Sequence, residues 1–194
     1  MVFPATERYG LVPAPGGLGL VQDLLNTHRS PRGTFGDLLA SVGSAQAWAG
    51  AAVAEWASVE GRRACRVRLR ATDVDALRTL RDQLGDPASE APPLLAGLSV
   101  VAGNDAAGRL VLEPAGTGWQ VVAGAVLLGV HRAQRRDEWR RLKTCRSPIC
   151  RAVFYDRSRN NSGVWHDVRA CGNAINLRAS RARRSQTAGS EAGA

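Results

Sequence analysis

The sequence predicts an α+β fold with a mainly helical N-terminal domain, a small β element, and a small C-terminal domain rich in cysteine. Three observations support this prediction. Alanine and leucine recur at helical spacing through much of the first 130 residues. Two short apolar runs, LSVVAG and GRLVLEPAG, flank turn residues. Three of the four cysteines fall within the 27 residues from Cys145 to Cys171. We therefore predict domains at 1–140 and 141–184, and a disordered tail at 185–194.

The N-terminal helices follow from the spacing of apolar residues. After the Pro/Gly-rich opening LVPAPGG, the segment GLGLVQDLLNTHR predicts a helix with a buried leucine face. The alanine-rich run 34–56 predicts one or two helices with Trp48 and Trp56 in the core. Residues 71–84 form the clearest amphipathic pattern, with Thr72 as the expected N-terminal cap. Its apolar residues share one face: Val74, Leu77, Leu80 and Leu84.

Two short strands and a long helix are predicted between residues 98 and 142. The two apolar runs predict short strands joined by a turn at Asn104-Asp105. Residues 119–142 predict one long helix that is apolar at its start and basic from Arg132 onward. Cys65 stands alone in the strand-like segment RRACRVRLR, and we expect it to be a small buried residue.

The positive charge of the chain is concentrated in one segment. The 194 residues carry a net charge of +9, with a hydrophobic fraction of 44% that is typical of a globular protein. Residues 131–184 hold 15 Lys+Arg against four acidic residues, whereas residues 1–130 have a net charge of −1. This separation predicts binding to a polyanion. The alternative is an arginine-rich surface without a specific partner.

The apolar stretches predict no membrane segment. The longest unbroken apolar run, Val121 to Val130, has ten residues, which is too short to cross a bilayer. The opening MVFPATERYG lacks the basic region and apolar stretch of a signal peptide. We therefore expect a cytoplasmic protein.

Four potential metal ligands near the C-terminus form two pairs with the same inner spacing. The pattern is Cys145-x4-Cys150-x15-His166-x4-Cys171. Zinc is commonly held by four thiolate or imidazole ligands in two close pairs, so the pattern predicts one Zn²⁺. Four protein ligands leave no open coordination position, and the metal should therefore be structural. A disulfide between Cys150 and Cys171 is the alternative, but it would leave the other two residues without a shared purpose. We expect Phe154 and Trp165 to pack beside the metal.

The stretch CRSPICRAVFYDRSRNNSGVWHDVRACGN resembles the CGNR zinc finger, a small bacterial domain. Its motif runs C-x4-C, F-x-D-x-S-R-N and W-C-x4-C-G-N-R. The matching positions are Cys145, Cys150, Phe154, Asp156, Ser158, Arg159, Asn160, Trp165, Cys171, Gly172 and Asn173. The segment GLVQDLLNTHR is similar to the ABATE domain that usually precedes this finger, with Asn26-Thr27 as its N-T signature. Together the two resemblances imply a stress-induced transcription regulator whose finger binds DNA.

The chain departs from the family pattern at three places. His166 stands where the family usually has cysteine, and imidazole is an acceptable fourth ligand. Ala174 replaces the arginine that ends the motif, and Gly163-Val164 replace residues that are often basic. If those arginines contact phosphate in relatives, this protein has lost some contacts or uses others.

Two segments offer side chains suited to DNA. The loop 157–161 and a short helix expected after Cys171 present guanidinium, hydroxyl and amide groups that suit phosphate oxygens and base edges. For Arg159 and Asn160 the alternative is a structural role in bracing a turn, and Asp156 is expected to hold an arginine or the backbone. The predicted nucleic-acid-binding residues are Arg157, Ser158, Arg159, Asn160, Asn161, Asn173, Arg178, Arg181, Arg183 and Arg184.

The N-terminal domain gives fewer functional indications. Asn26 is expected to bond within a turn. A ligand pocket formed by Asn26, Trp48 and Trp56 is the alternative. His28 and His131 lie in no catalytic signature, so no enzymatic activity is predicted.

Two functions follow from these observations. The first is a DNA-binding transcription regulator whose N-terminal domain senses a small-molecule effector or forms a homodimer. The second is a zinc-stabilised protein-interaction module that docks an acidic partner, such as the transcription machinery.

Overall fold

The computed structural model describes residues 2–31, 33–63, 65–87, 95, 97–105 and 107–173. In these ranges the chain forms five α-helices and two antiparallel pairs of strands. The elements are α1 (Pro4–Glu7), α2 (Leu18–Leu25), α3 (Val42–Val59), α4 (Ala71–Leu84), β1 (Val100–Asn104), β2 (Leu110–Pro114), α5 (Trp119–Arg135), β3 (Leu142–Thr144) and β4 (Val153–Tyr155). This arrangement confirms the predicted α+β class. Among the described helices, none is long and apolar enough to span a membrane.

Helix α2 lies at the centre of the hydrophobic core. All eight of its residues are buried, and it packs against α1, α3 and α5. The close approach of α5 depends on Gly129, because a Cβ there would lie 2.7 Å from the carbonyl oxygen of Gly17. Trp48 and Trp56 of α3 contribute to the same core, as the sequence predicts.

A buried carboxylate connects three of these helices. Asp23 of α2 accepts hydrogen bonds from the backbone N–H of Thr6 in α1, at 2.7 Å, and from Trp48 Nε1 in α3, at 2.8 Å. Burial raises the pKa of Asp23 to about 6, although both hydrogen bonds favour the charged form. The site therefore opposes ionisation of Asp23 and keeps the three helices in register.

Helix α4 confirms the clearest helical prediction, Ala71–Leu84, and the four apolar residues named for its buried face are all buried. Its N-terminus differs from the prediction. The helix begins after Arg70, whose backbone N–H donates to Asp73 Oδ2 at 2.7 Å. Thr72 lies inside the first turn because the Asp73 carboxylate binds the N–H at the cap position.

The predicted hairpin is confirmed, but the long helix that follows it is shorter than predicted. Strands β1 and β2 pair antiparallel from Val100↔Pro114 to Asn104↔Leu110. Helix α5 ends at Arg135, because Asp137 adopts a φ of 59° and the chain turns. One 3₁₀ turn, Trp139–Arg141, then leads into β3, which pairs with β4.

The prediction for Cys65 is wrong, since this residue is exposed. The residues around it do not form a strand in the described part of the chain. Instead, the Gln46 side chain occupies the place of a partner strand. Its Nε2 donates to the carbonyl of Val67 at 2.9 Å, and its Oε1 accepts from the N–H of Leu69 at 2.8 Å. These contacts turn Val67 and Leu69 into the core and leave Cys65 outside.

The C-terminal segment is joined to the helical core by a side-chain amide. Asn26, which follows α2, donates from Nδ2 to the carbonyl of Val153 and accepts the N–H of Val153 at Oδ1, both at 2.8 Å. Gln22 Nε2 donates to the same carbonyl at 3.1 Å. Leu142 and Val153 also lie in the hydrophobic cluster of the helices. The division into domains at residue 140 stays a prediction, and the two stretches are in direct contact.

We predict that Asn26→Ala destabilises the protein by about 2–4 kcal/mol, because it leaves both backbone groups of Val153 buried without this partner. Chemical denaturation monitored by circular dichroism measures the change. Asn104→Ala is the matched control, since Asn104 donates one exposed hydrogen bond to the carbonyl of Gly108 in the hairpin turn. Equal loss of stability in both variants would contradict the role assigned to Asn26.

Candidate metal centre

Three thiols and one imidazole converge at the C-terminal end of the described chain. The ligand atoms of Cys145, Cys150, His166 and Cys171 all lie within 4.8 Å of one another. His166 Nδ1 is 3.1 Å from the sulfur of Cys150 and 3.5 Å from that of Cys171. A tetrahedral zinc site with Zn–S bonds of about 2.3 Å places its ligand atoms about 3.5–3.8 Å apart. The four residues are therefore positioned to bind one zinc ion.

The first ligand pair is held by a tight turn. The N–H of Cys150 donates to the carbonyl of Ser147 at 2.9 Å, and the N–H of Cys145 donates to the carbonyl of Ala152 at 2.8 Å. The backbone N–H of Ala152 points at the sulfur of Cys150, at 3.4 Å. Such N–H groups stabilise a thiolate, so the turn both positions its ligands and favours the ionised form that binds a metal.

The second ligand pair depends on Asp167. Its Oδ1 accepts the N–H of Ala170 at 2.9 Å, and its carbonyl accepts the N–H of Cys171, also at 2.9 Å. These bonds start a single π-helical turn, Val168–Gly172, which directs Cys171 toward His166. Gly172 fits against Trp165, since a Cβ there would lie 3.2 Å from the indole ring.

Three thiols at this separation cannot all ionise unless a cation is present. A hydrogen bond with Cys150 lowers the pKa of Cys145, and the same contact raises the pKa of Cys150. Burial raises the pKa of Cys171. A bound Zn²⁺ replaces the retained protons, so metal affinity falls as the pH falls.

A small apolar cluster surrounds the ligands. Phe154 and Trp165 pack with the three cysteines, which confirms the sequence prediction for these two rings. Tyr9 and Leu11, from the N-terminal part of the chain, join the same cluster. The Tyr9 ring meets the His166 ring edge to face, with a centroid distance of 6.5 Å. The N-terminal segment therefore covers one side of the metal centre.

A small β-ribbon with four protein ligands is a structural metal site of the zinc-finger class. Residues 141–184 match the CGNR zinc finger family, and this segment is thus similar to those fingers. Comparison with curated proteins finds no match to this chain. The similarity of the N-terminal region to ABATE stays a prediction.

The loop between the ligand pairs, residues 156–163, is organised by a buried ion pair, and we call it the finger loop. Asp156 is 4% exposed and its Oδ2 lies 2.7 Å from Nζ of Lys143. Lys143 also donates to the carbonyls of Asn161 and Gly163, at 2.7 and 3.1 Å. Asp156 accepts the N–H groups of Ser158 and Gly163. The loop is thereby closed at both ends by one carboxylate and one ammonium group.

The electrostatics of Asp156 follow from these contacts. Burial alone would raise the pKa of Asp156, but Lys143 and the N–H donors outweigh it and lower the pKa well below its usual range. The same carboxylate explains Gly163, where the family often has a basic residue. A Cβ at position 163 would lie 2.9 Å from the Asp156 carboxyl carbon, so a larger residue requires a different loop here.

The predicted DNA-contacting residues of the finger loop separate into two sets. In the first set, side chains bind the protein itself. Arg157 donates to the carbonyl of Pro13 at 2.7 Å, Ser158 Oγ accepts the N–H of Ser162, and Asn161 Nδ2 donates to the carbonyl of Arg140. The second set is Arg159 and Asn160, which are exposed and form no hydrogen bond or ion pair with any described residue.

The remaining predicted DNA-contacting residues lie at or beyond the end of the described chain. Asn173 is exposed, and its backbone N–H caps the π-helical turn by donating to the carbonyl of Val168. Arg178, Arg181, Arg183 and Arg184 lie outside the described residues, as do Ala174 and the tail 185–194.

The three residues considered for an effector pocket are buried in the helical core. Trp48 donates to Asp23, and Trp56 packs under the guanidinium of Arg62 at 5.3 Å. Asn26 contacts Val153 as described above. The structure thus gives each of these side chains a protein partner. For Asn26 this partner is the distant Val153, whereas the sequence predicted bonding within a turn.

Sequence reasoning missed two functional residues of the finger. Lys143 holds the finger loop through its contact with Asp156. It is the only lysine among 26 Lys+Arg residues, and this unusual composition could have marked it for attention. Arg146 follows the first ligand, and its backbone N–H donates to the carbonyl of Val164. Together with Arg140, Asn161 and Ser162 it lines a cavity of about 530 Å³ beside the finger loop, which we call the finger groove.

We predict that Cys171→Ser weakens zinc binding by more than about 100-fold. Residues that only bond to metal ligands already change metal affinity by about 10- to 100-fold when they are substituted, and loss of a ligand itself should cost more. Elemental analysis of purified protein and competition with a chelator measure this loss. Cys65→Ser is the matched control, since Cys65 is exposed and lies outside the site. Full zinc content in the Cys171 variant would contradict the ligand assignment.

Hydrogen exchange on the same Cys171 variant tests the predicted domain division. If residues 1–140 fold independently, α4 keeps its protection while residues after 141 lose theirs. Loss of protection in both regions would show one cooperative unit.

We predict that Asp156→Ala destabilises the protein by about 3 kcal/mol, because it leaves the ammonium group of Lys143 largely buried without its partner. The contribution of Asp156 is present at neutral pH and is lost as the pH falls below about 4, since its pKa is lower folded than unfolded. Thermal unfolding at several pH values measures both effects. Asp75→Ala is the control, because its ion pair with Arg78 is exposed and should matter little.

Proposed function

We propose that this protein is a DNA-binding transcription regulator that contacts the duplex through the finger loop and the finger groove. The observation that carries the proposal is the contrast within the loop. Its backbone is held by Asp156 and Lys143, while Arg159 and Asn160 extend from it exposed and without a described partner. A rigid loop that presents unengaged donors loses little conformational entropy when those donors meet phosphate oxygens or base edges.

The surroundings of the loop support the same proposal. Arg146 is exposed at the finger groove and forms no ion pair with the described residues, and Arg140 is paired only to the exposed Asp137. These groups add positive potential at the finger groove, which the carboxylate of Asp86 in the same lining partly offsets. The segment 131–184 has a net charge of +11, and three thiolates with one Zn²⁺ change this by only −1. Attraction of a polyanion by such a field is strong and falls with salt concentration.

The roles of the other parts are proposed on the same basis. Zinc holds the finger loop in shape and takes no part in chemistry. The helical region serves as a sensor of a small-molecule effector or as a dimerisation surface. We assign the protein a binding function in the cytoplasm rather than an enzymatic one. The thiols that lie beside a base, Cys150 and Cys171 next to His166, are assigned to zinc and are therefore not free to act as nucleophiles.

We predict that the zinc-loaded protein binds a mixed-sequence duplex with an affinity that falls at least about tenfold between about 50 and about 200 mM salt. Arg159→Ala should weaken this binding and reduce the slope of log K against log salt by about 1. Fluorescence anisotropy with a labelled duplex measures both quantities.

Arg66→Ala is the matched control for Arg159→Ala. It removes the same charge from an exposed position in the helical region, so it should change the slope little. Equal effects of the two variants would show that only the overall field matters. Absence of salt-dependent duplex binding would refute the proposal and favour the alternative function, docking to an acidic protein partner.

A further inference from the structure

A second cavity lies where the helical region meets the finger, away from the finger loop. Its volume is about 480 Å³, within the range of about 300–1,000 Å³ that is usual for small-molecule sites. His28 and Arg29 line it after α2, Asp82 lines it at the end of α4, and Thr144 and Arg151 line it from the finger. We call this cavity the junction pocket.

Two guanidinium groups of the junction pocket are available for a ligand. Arg29 and Arg151 are both exposed, and neither forms a hydrogen bond or ion pair with a described residue. Arg81, by contrast, is 6% exposed and bonds Asp37 through both terminal nitrogens, at 2.9 and 3.0 Å. The pocket therefore has one cation committed to the protein and two that are uncommitted. Guanidinium groups bind carboxylates in a bidentate manner, which gives them specificity as well as strength.

Three carboxylates line the junction pocket, and two of them are bonded to the protein: Asp37 to Arg81, and Asp86 to the hydroxyl of Thr144 at 2.7 Å. Asp82 is exposed at its rim and forms no ion pair in the described part of the chain. A ligand with only negative charge would be repelled by this carboxylate, whereas a ligand with an ammonium group would be attracted by it. Burial and the nearby Arg81 lower the pKa of His28, so its imidazole adds no positive charge to the pocket at neutral pH.

We propose that the junction pocket binds a small zwitterion of the α-amino-acid type. Arg29 and Arg151 receive its carboxylate, and Asp82 receives its ammonium group. Such a ligand can pair with both the positive and the negative groups of the pocket. A simple organic acid or a simple amine can pair with only one of them.

The position of the pocket gives this binding a consequence for the finger. Arg29 and Asp82 belong to the helical region, whereas Arg151 follows the zinc ligand Cys150 by one residue. A ligand held from both sides stabilises their contact and thereby the placement of the first ligand pair. Control of DNA binding through this contact rests on the function proposed above, whereas ligand binding itself does not.

The experiment uses the full-length zinc-loaded chain and the twenty α-amino acids at millimolar concentration, each beside its deaminated carboxylate analogue. At least one amino acid should raise the melting temperature, and calorimetry should then give its affinity. Arg29→Ala and Arg151→Ala should each weaken this affinity at least about tenfold, the loss expected for one guanidinium–carboxylate contact. Asp82→Asn should reduce the preference for the amino acid over its deaminated analogue.

Two controls keep the result interpretable. Zinc content is measured for the Arg151 variant, because this residue adjoins a ligand, and the Arg29 variant tests the same carboxylate from outside the finger. Arg66→Ala should bind the amino acid as the unaltered chain does. No thermal shift with any amino acid, equal binding of the deaminated analogue, or unchanged affinity in both arginine variants would overturn the inference.

The same samples distinguish this inference from the DNA-binding proposal. A chain that binds an amino acid but shows no salt-dependent duplex binding refutes the DNA-binding proposal alone. A chain that binds the duplex but no amino acid refutes the present inference alone.

Discussion

The side-chain amide of Asn26 and the peptide groups of Val153 form the interaction on which the C-terminal half depends. Strand β4 has three residues and one partner strand, and a ribbon this short is not stable by itself in water. Its buried peptide groups need partners on the other side, and Asn26 supplies both a donor and an acceptor at 2.8 Å. Because Val153 lies three residues after Cys150, this contact also sets where the metal centre stands against the helical core.

The basic segment is less available for binding than its net charge indicates. Arg141 donates to the carbonyls of Asp156 and Ser158, and Arg157 reaches the carbonyl of Pro13. With Lys143, these residues use positive charge to hold backbone oxygens in place. Other basic side chains in the described part of the segment, Arg159 and Arg146 among them, are exposed and form no such bond.

Local patterns in the sequence predicted what local chemistry determines. Equal spacing of two ligand pairs identified the metal centre, helical periodicity gave the bounds of α4, and turn residues located the hairpin. The errors arose where residues distant in the sequence determine the local structure. Helix α5 ends where Asp137 turns the chain, and Leu142, predicted to lie in that helix, pairs with Tyr155 in a sheet instead. Cys65 is exposed because Gln46 bonds the backbone of Val67 and Leu69 nearby. Asn26 and Val153 are separated by 127 residues, so no local pattern could show that they meet.

The use of a single lysine has a chemical consequence for the whole surface. Lys143 is 17% exposed and its ammonium group is enclosed by Asp156 and two carbonyls, so its charge belongs to the interior of the finger. All other Lys+Arg side chains of the protein are guanidinium groups. These groups stay protonated at every physiological pH, and lysine acetylation does not act on them. The positive field of this protein is therefore permanent, and only bound partners or salt can neutralise it.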